Sequence, residues 1–238
     1  MTLTRRDFGR NVLVGLTATT LIGSGCDSNS DGAPDTGLGG SGGDGGLGGS
    51  GGNACTLYPE QTAGPFYLDL DLLRRDISEG RPGAPLSLVI QVQSEDCSPL
   101  RDLAVDVWHC DANGVYSGFP NQLGGLDTTG QAFLRGTQVT DEDGVAQFES
   151  IYPGWYPGRT THIHFRIHTS SRTEATSQLY FPESATEEIY ATSPYDVRGQ
   201  KDTPNALDGI ATANPAPLAV VTSNTSTGYI ARILATVA

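Results

Sequence analysis

A pair of histidines with a tyrosine upstream is the part of this chain best suited to chemistry. His162 and His164 lie two residues apart in a run that alternates with apolar residues, and on a β-strand this spacing points both imidazoles to one face. Tyr156 lies six residues before His162, in a turn rich in proline and glycine. A phenolate oxygen beside two imidazole nitrogens is a hard, mixed ligand set that suits trivalent iron better than a thiolate-seeking ion. The spacing predicts a metal site, although histidines in ordinary hydrogen bonds would show it too.

An arginine in the same stretch completes a recognisable pattern. The segment reads I-Y-P-G-W-Y-P-G-R-T-T-H-I-H-F-R-I from Ile151 to Ile167, with Arg159 three residues before the first histidine. A tyrosine in a Pro-rich turn, this arginine and then H-x-H at the start of a strand resemble the signature of the intradiol ring-cleaving dioxygenases. Members of that family are non-haem Fe(III) enzymes that open catechols between their two hydroxyl groups. The matching positions are Tyr156, Arg159, His162 and His164.

Three further motifs extend the resemblance over roughly residues 55 to 183. The run A-V-D-V-W-H-C-D-A-N-G-V-Y from Ala104 resembles the family's strand and tyrosine-bearing turn, which makes Tyr116 the second tyrosine. The segment P-E-Q-T-A-G-P-F-Y at Pro59–Tyr67 is similar to the one that borders the substrate cleft. The run S-Q-L-Y-F at Ser177–Phe181 is similar to the strand whose glutamine, here Gln178, faces the iron.

The resemblance implies a ligand set and a reaction. One Fe(III) ion per chain would be held by two tyrosines and two histidines: Tyr116, Tyr156, His162 and His164. A small aromatic diol and O2 would be the substrates, and a cis,cis-muconate type diacid the product, with Tyr156 also acting as a base. Arg159 would stabilise the negative charge that develops on the ring, or else form a salt bridge at the strand entrance. Gln178 would hydrogen-bond Arg159 or the metal-bound hydroxide, or be an ordinary strand glutamine.

Short β-forming runs separated by turn signals must position these residues. Their regular spacing predicts an all-β fold, a β-sandwich with long active-site loops, which is also the fold that the resemblance implies. A short helix is expected at Ser184–Tyr190. Tyr116 and Tyr156 fall in loops, as expected where a rigid sheet carries functional groups on its connections. The predicted strands are Leu86–Gln93, Ala104–His109, Gly144–Phe148, His162–His168, Ser177–Phe181, Leu218–Thr222 and Tyr229–Thr236.

The first 26 residues resemble an export signal. Thr4-Arg5-Arg6-Asp7-Phe8 is a twin-arginine pattern followed by an apolar run. The run ends in Gly23-Ser24-Gly25-Cys26, which resembles a lipoprotein processing box with Cys26 as the acylated residue. Simple cleavage near this point is the alternative. The sequence therefore predicts export by the twin-arginine route to a periplasmic or cell-surface location, with a lipid anchor as the one link to the membrane.

A Gly/Ser/Asp-rich tract at residues 27–53 separates this signal from the rest of the chain. Such a composition lacks core-forming residues and predicts a disordered tether. Residues 54–238 are then the catalytic β-sandwich domain. The whole chain carries a formal net charge of −13, which argues against nucleic acid as a partner because a phosphate backbone requires basic patches.

The chain contains four cysteines. If Cys26 carries a lipid, the odd number that remains cannot all pair, although an exported protein can form disulfides. In the extracellular enzymes that this chain resembles, the first two remaining positions occur together and the third varies. The resemblance therefore favours a Cys55–Cys97 disulfide with Cys110 reduced.

Two functions of other classes fit the same residues. A zinc-dependent hydrolase could use His162, His164 and a carboxylate, and it would need no second tyrosine. A non-catalytic, surface-tethered β-sandwich could bind ligands or partners, although packing alone does not demand four ligands and Arg159 together. The choice among catechol-type substrates and the oligomeric state stay open at this stage.

Overall fold

The computed structural model describes residues 54–169, 174–224 and 228–238, which fold into two four-stranded sheets. The predicted signal and tether at residues 1–53 lie outside the described residues. The predicted all-β sandwich is confirmed. None of the helices in the described residues is long and apolar enough to cross a bilayer. The strands and helices are β1 (Pro85–Ser94), β2 (Ala104–Trp108), β3 (Arg135–Val139), β4 (Val145–Ile151), β5 (His162–His168), β6 (Glu174–Tyr180), α1 (Glu183–Tyr190), α2 (Gly209–Ala213), β7 (Val220–Asn224) and β8 (Gly228–Val237).

The two sheets share one apolar core. One sheet has the order β4-β1-β8-β7 with β1 and β8 parallel, and the other has the order β3-β2-β5-β6 with antiparallel neighbours. Alternate side chains of each strand point between the sheets, as a period of two residues requires. From β1 these are Leu86, Leu88, Ile90 and Val92, and from β5 they are Ile163, Phe165 and Ile167.

The alternation on β5 leaves His162 and His164 on the face opposite the core. The register places His164 beside Trp108 of β2 and Gln178 of β6. These side chains are nevertheless buried, because loops and the segment before β1 cover that outer face. The site and the core therefore occupy opposite faces of one sheet.

Each strand predicted from the sequence is present, and so is the short helix, which is α1. The edge strand β3 was missed because R-G-T-Q-V has one apolar residue and no alternating pattern. Its buried side chains face polar partners: Arg135 donates to Ser117, and Thr137 donates to Asp106. Hydrophobic periodicity cannot reveal a strand of this kind.

The cysteines follow the expected pairing within the described residues. Cys55 and Cys97 form a disulfide, and Cys110 is a buried free thiol. The disulfide joins the start of the domain to the turn after β1, where the Cys55 amide also donates to Glu95 O at 2.7 Å. The segment that leads to the outer face of the second sheet is therefore fixed at its beginning.

Candidate metal centre and active site

Strand β5 brings two imidazoles together on the outer face. The Nε2 atoms of His162 and His164 lie 3.2 Å apart, and both side chains are almost fully buried. His162 Nδ1 lies 2.6 Å from Thr160 O, and because a carbonyl only accepts, Nδ1 must carry the proton. The lone pair of His162 Nε2 therefore points into the site, as a metal ligand requires.

Two tyrosines from different loops reach the same point. Tyr156 Oη lies 3.2 Å from His162 Nε2, and the side chain is half-buried. Tyr116 is 1% exposed. Its ring centroid lies 5.8 Å from that of Tyr156 and 6.4 Å from that of His164. The structure thus brings together the four side chains that the sequence singled out as ligands.

The hydroxyl of Tyr116 supplies a test of whether a metal fits here. It is buried and has no hydrogen-bond partner among the described residues. A buried hydroxyl without a partner costs roughly 1–3 kcal/mol, so an arrangement of this kind is uncommon unless the oxygen has another role. A cation held by Tyr116 together with the converging oxygen and nitrogen atoms would satisfy it. The donor set therefore fits a hard metal ion.

Glycines allow the loop that contains Tyr116 and the loop that contains Tyr156 (the two tyrosine loops) to pack directly against each other. Gly154 N donates to Asp111 O at 3.1 Å, and a Cβ at Gly154 would lie 2.5 Å from the carbonyl oxygens of Asp111 and Ala112. Gly114 has φ +79°, and a Cβ there would collide with Trp155 O. Only glycine fits at both positions, and this close approach brings Tyr116 next to Tyr156.

Burial keeps the four candidate ligands neutral in the absence of a cation. It lowers the pKa of His162 to about 3, helped by the charge of Arg159, and it lowers the pKa of His164 well below its usual value. Burial also raises the pKa of Tyr156 to about 12, against the opposing effect of Arg159, and raises the pKa of Tyr116 well above its usual value. Neutral imidazoles are ready ligands, whereas both phenols need a strong Lewis acid to lose their protons.

Arg159 lies at the rim of this site, held at two of its nitrogens. Its Nε donates to Asp208 Oδ2 at 2.8 Å, and its Nη2 donates to Gln178 Oε1 at 2.5 Å. Its Nη1 lies 3.5 Å from Tyr156 Oη. The geometry is compatible with both roles that the sequence suggested for Arg159, because this residue forms a salt bridge with Asp208 and also faces the hydroxyl of Tyr156. Its role in ring cleavage stays a prediction.

Gln178 connects Arg159 to the segment before β1. Its Oε1 accepts from Arg159, and its Nε2 donates to Thr62 O at 3.0 Å. Tyr180 Oη lies 3.3 Å from the same Oε1 and donates to Gln61 Oε1 at 2.8 Å. The predicted bond between Gln178 and Arg159 is present, so this residue is more than an ordinary strand glutamine.

Aromatic rings pack against the candidate ligands from two sides. The indole of Trp108 stacks on His164 with ring centroids 5.0 Å apart and planes at 6°. The ring of Phe66 stacks on Tyr116 at 4.3 Å and meets Tyr156 edge-on at 6.3 Å. Stacking and T-shaped contacts restrict ring rotation, and they keep the approach to the ligand atoms largely apolar.

Sequence reasoning missed several residues that build the site. Asp208 lies 49 positions after Arg159, and Arg135 is a buried cation that donates to Phe66 O and Ser117 O. A helix N-cap ahead of Gly-Ile-Ala was the one available sign of Asp208. For Arg135 no pattern could have indicated burial.

The alternative of a zinc hydrolase required a carboxylate beside the two histidines. In the part of the chain that the structure describes, no three or more His, Cys, Asp and Glu side chains form a group that could hold a metal. The groups that do meet the imidazoles are phenols. The geometry thus favours a tyrosine-containing ligand set.

Comparison with known proteins agrees with this site. A family model described as Dioxygenase matches residues 60–199. The protocatechuate 3,4-dioxygenase beta chain of Burkholderia cepacia is 33% identical over 139 residues, which cover 53% of this chain and 56% of that protein. The chain spans about half the length of the curated relatives it matches.

Two solved structures are similar over most of the described residues. An intradiol ring-cleavage dioxygenase from Tetranychus urticae is 32% identical, with a TM-score of 0.70 over 76% of this chain and 94% of that one. The dioxygenase domain of a dioxygenase and carbohydrate-binding fusion from Streptomyces sp. SirexAA-E is 30% identical, with a TM-score of 0.56 over 76% and 98%. The chain belongs to the family of intradiol ring-cleavage dioxygenases, which use non-haem iron.

Proposed function

We propose that this chain is a non-haem Fe(III) dioxygenase that cleaves a catechol-type ring between its two hydroxyls and incorporates O2 to give a diacid. The observation that carries the proposal is the meeting of two tyrosine side chains and two imidazoles in one place, with the buried hydroxyl of Tyr116 lacking a hydrogen-bond partner among the described residues. Membership of the family supports the same chemistry.

Tyr116, Tyr156, His162 and His164 would hold the iron, one ion per chain. When bound, it would supply the positive charge that makes the hydroxyl groups of the diol more acidic and draws electron density from the ring. Two phenolates reduce the charge of a trivalent ion, so that a largely apolar site can accept it.

Tyr156 is suited to take a proton from the substrate. It is the ligand with a half-buried side chain, whereas the other three are almost fully buried. Its Oη also lies next to the Arg159 guanidinium. A Tyr156 phenolate that leaves the ligand set would take the proton at Oη and become a phenol, so that it would serve as a base within reach of the diol.

Arg159 would stabilise negative charge on the ring during attack by oxygen. Its guanidinium is held by Asp208 and Gln178 before substrate arrives, and preorganised donors of this kind lower the energy of a developing charge without reorganisation. The rings of Phe66 and Trp108 flank the ligands and would limit access of water.

The substrate is assigned by class. Relatives are named for protocatechuate, chlorocatechol and catechol, all of which share a vicinal diol on an aromatic ring. The proposal therefore extends to catechol-type diols in general.

The visible spectrum of the aerobically purified protein, with metal analysis, tests the proposal. A burgundy tyrosinate-to-Fe(III) band with about one iron per chain, shifting on addition of catechol, is expected. Oxygen uptake would then rank substrates. A protein that stays colourless and inactive after reconstitution with iron would overturn the proposal.

We also propose that the protein is exported by the twin-arginine route and anchored through a lipid on Cys26. The motifs at Arg5-Arg6 and Gly23–Cys26 support this, and the Cys55–Cys97 disulfide is compatible with an oxidising compartment. Incorporation of labelled palmitate that disappears in Cys26→Ser is the expected result. Unlabelled protein released into the periplasm would contradict the anchor.

A further inference from the structure

Asp208 is a fully buried carboxylate that accepts four N–H groups. Its Oδ2 accepts from Arg159 Nε and from Thr160 N, each at 2.8 Å. Its Oδ1 accepts from Ile210 N at 2.8 Å and Ala211 N at 3.1 Å, which makes Asp208 the N-cap of α2. Each oxygen thus serves a different element: one serves the entrance to β5 and the other serves the helix.

The bond to Arg159 determines where the guanidinium points. Asp208 fixes Nε and Gln178 fixes Nη2, and two anchors on a planar group fix its plane. Nη1 is the nitrogen that remains, and it lies 3.5 Å from Tyr156 Oη. Without Asp208, one anchor would be left and the guanidinium could rotate about it.

A second contact reaches the ligands through the backbone. Thr160 donates its amide to Asp208, and its carbonyl accepts from His162 Nδ1. The carboxylate therefore also steadies the residue that fixes the tautomer of His162.

Charge favours the same arrangement. Burial alone would raise the pKa of Asp208, but hydrogen bonds from Thr160 and Ala211 together with Arg159 outweigh it and hold the pKa below its usual value. The carboxylate is therefore ionised at neutral pH and balances the half-buried charge of Arg159 beside the cation site.

We propose that Asp208 is a positioning residue for ring cleavage, which acts through Arg159 by directing Nη1 towards Tyr156. The inference rests on the proposed function, since it concerns the residue that serves the developing charge. It brings the segment that contains α2 into the catalytic arrangement, although the hydrogen bonds of the Asp208 carboxylate go to Arg159 and to backbone amides and to none of the four proposed ligands.

Asp208→Asn separates the two roles of this side chain. Asparagine remains a good N-cap through its single oxygen, but its amino group would then face Arg159 Nε and Thr160 N, donor against donor. We expect kcat for catechol to fall on the order of tenfold to hundredfold, with a smaller change in KM, and iron content to stay near one per chain. Asp196→Ser, an exposed aspartate of the preceding segment, is the control and should leave kcat unchanged.

A double-mutant cycle with Arg159→Gln decides whether Asp208 acts through Arg159. If it does, Asp208→Asn should add little to the loss of kcat already caused by Arg159→Gln. Catechol binding, measured anaerobically from the shift of the visible band, should change far less than kcat. If Asp208→Asn does not fold, Asp208→Ser, which can also cap α2, takes its place in the cycle.

The outcomes separate this inference from the proposed function. Losses of kcat that multiply in the double variant, or an unchanged kcat in the single variant, would overturn the role of Asp208 and leave the dioxygenase standing. A wild-type protein that neither binds iron nor consumes oxygen with catechol would overturn both.

Discussion

Tyr156 differs from the other three proposed ligands in its half-buried position and its contact with Arg159. Phenylalanine at this position keeps the ring contacts with Phe66 and Tyr116 but removes the oxygen. We expect Tyr156→Phe to retain iron on the three remaining ligands and to lose most of its turnover, because the exchangeable base is gone. Oxygen uptake and iron content of the same preparation provide the measurement.

A matched variant controls for the loss of a hydroxyl. Tyr229→Phe removes the hydroxyl of a half-buried tyrosine on β8, in the other sheet, and should leave turnover unchanged. Equal turnover in Tyr156→Phe and wild type would rule out a base at this position.

The two histidines should be needed for the metal itself. His162 and His164 present their Nε2 atoms to each other and are almost fully buried. Unlike the loss of the half-buried Tyr156 oxygen, alanine at either position therefore removes a whole buried side chain and leaves a cavity beside the metal position. We expect each variant to bind much less than one iron per chain, as measured by metal analysis after reconstitution. His168→Gln, on the same strand but bound to Asp106, should retain iron. Full iron in either alanine variant would contradict the ligand assignment.

His109 should make the domain less stable in acid. It is fully buried between Cys110 O and Ser150 Oγ, and burial lowers its pKa from 6.5 to about 4. Between these two pH values, the His109 imidazole is therefore protonated in the unfolded chain and neutral in the folded chain. The contribution of the neutral His109 to the free energy of unfolding is complete above pH 6.5 and is lost as the pH falls through 4. It amounts to about 3 kcal/mol in total.

Denaturant unfolding at several pH values measures this effect. Between pH 6 and 4.5, the free energy of unfolding of wild type should fall more steeply than that of His109→Gln, by roughly 1.4 kcal/mol per pH unit. Parallel curves for the two proteins would mean that His109 does not titrate differently in the two states.

At the scale of elements, the two tyrosine loops depend on their contact at Gly154. A methyl group there would press on the carbonyls of Asp111 and Ala112, and it would push the Tyr156 loop away from the Tyr116 loop. We expect Gly154→Ala to lower both the melting temperature and the iron content. Gly209→Ala, where nothing lies within 4 Å, should be close to neutral. Unchanged iron in Gly154→Ala would show that the loops adjust independently.

The sequence revealed elements whose side chains alternate and missed those that do not. Strand β5 was predicted because apolar residues alternate with His162 and His164. In β3, by contrast, Arg135 and Thr137 are buried against polar partners, which hydrophobic periodicity cannot detect. The four proposed ligands could be singled out because two local motifs carry them. Asp208 was not found, because its partner Arg159 lies far away in sequence and only the folded chain brings the two together.

At the scale of the whole molecule, the Cys55–Cys97 disulfide closes a loop of 42 residues. The loop contains the segment before β1 that supplies Thr62 O and Phe66 to the site. On the chain-entropy account, such a cross-link is worth about 4 kcal/mol. We expect the Cys55→Ser/Cys97→Ser variant to lose a free energy of unfolding of this order, as measured in denaturant. Wild type with a reducing agent should match the variant.

Strand β5 presents the proposed ligands on one face and the core on the other, and this sets limits on how such a protein can change over evolution. Substitutions can alter either face separately. The gain or loss of a single residue after Thr161 would exchange the two faces, turning the imidazoles inward and the apolar side chains outward. A point change in this strand therefore affects one face at a time, whereas a change of length affects both faces, and new substrate preferences are expected in the loops that lie outside its register.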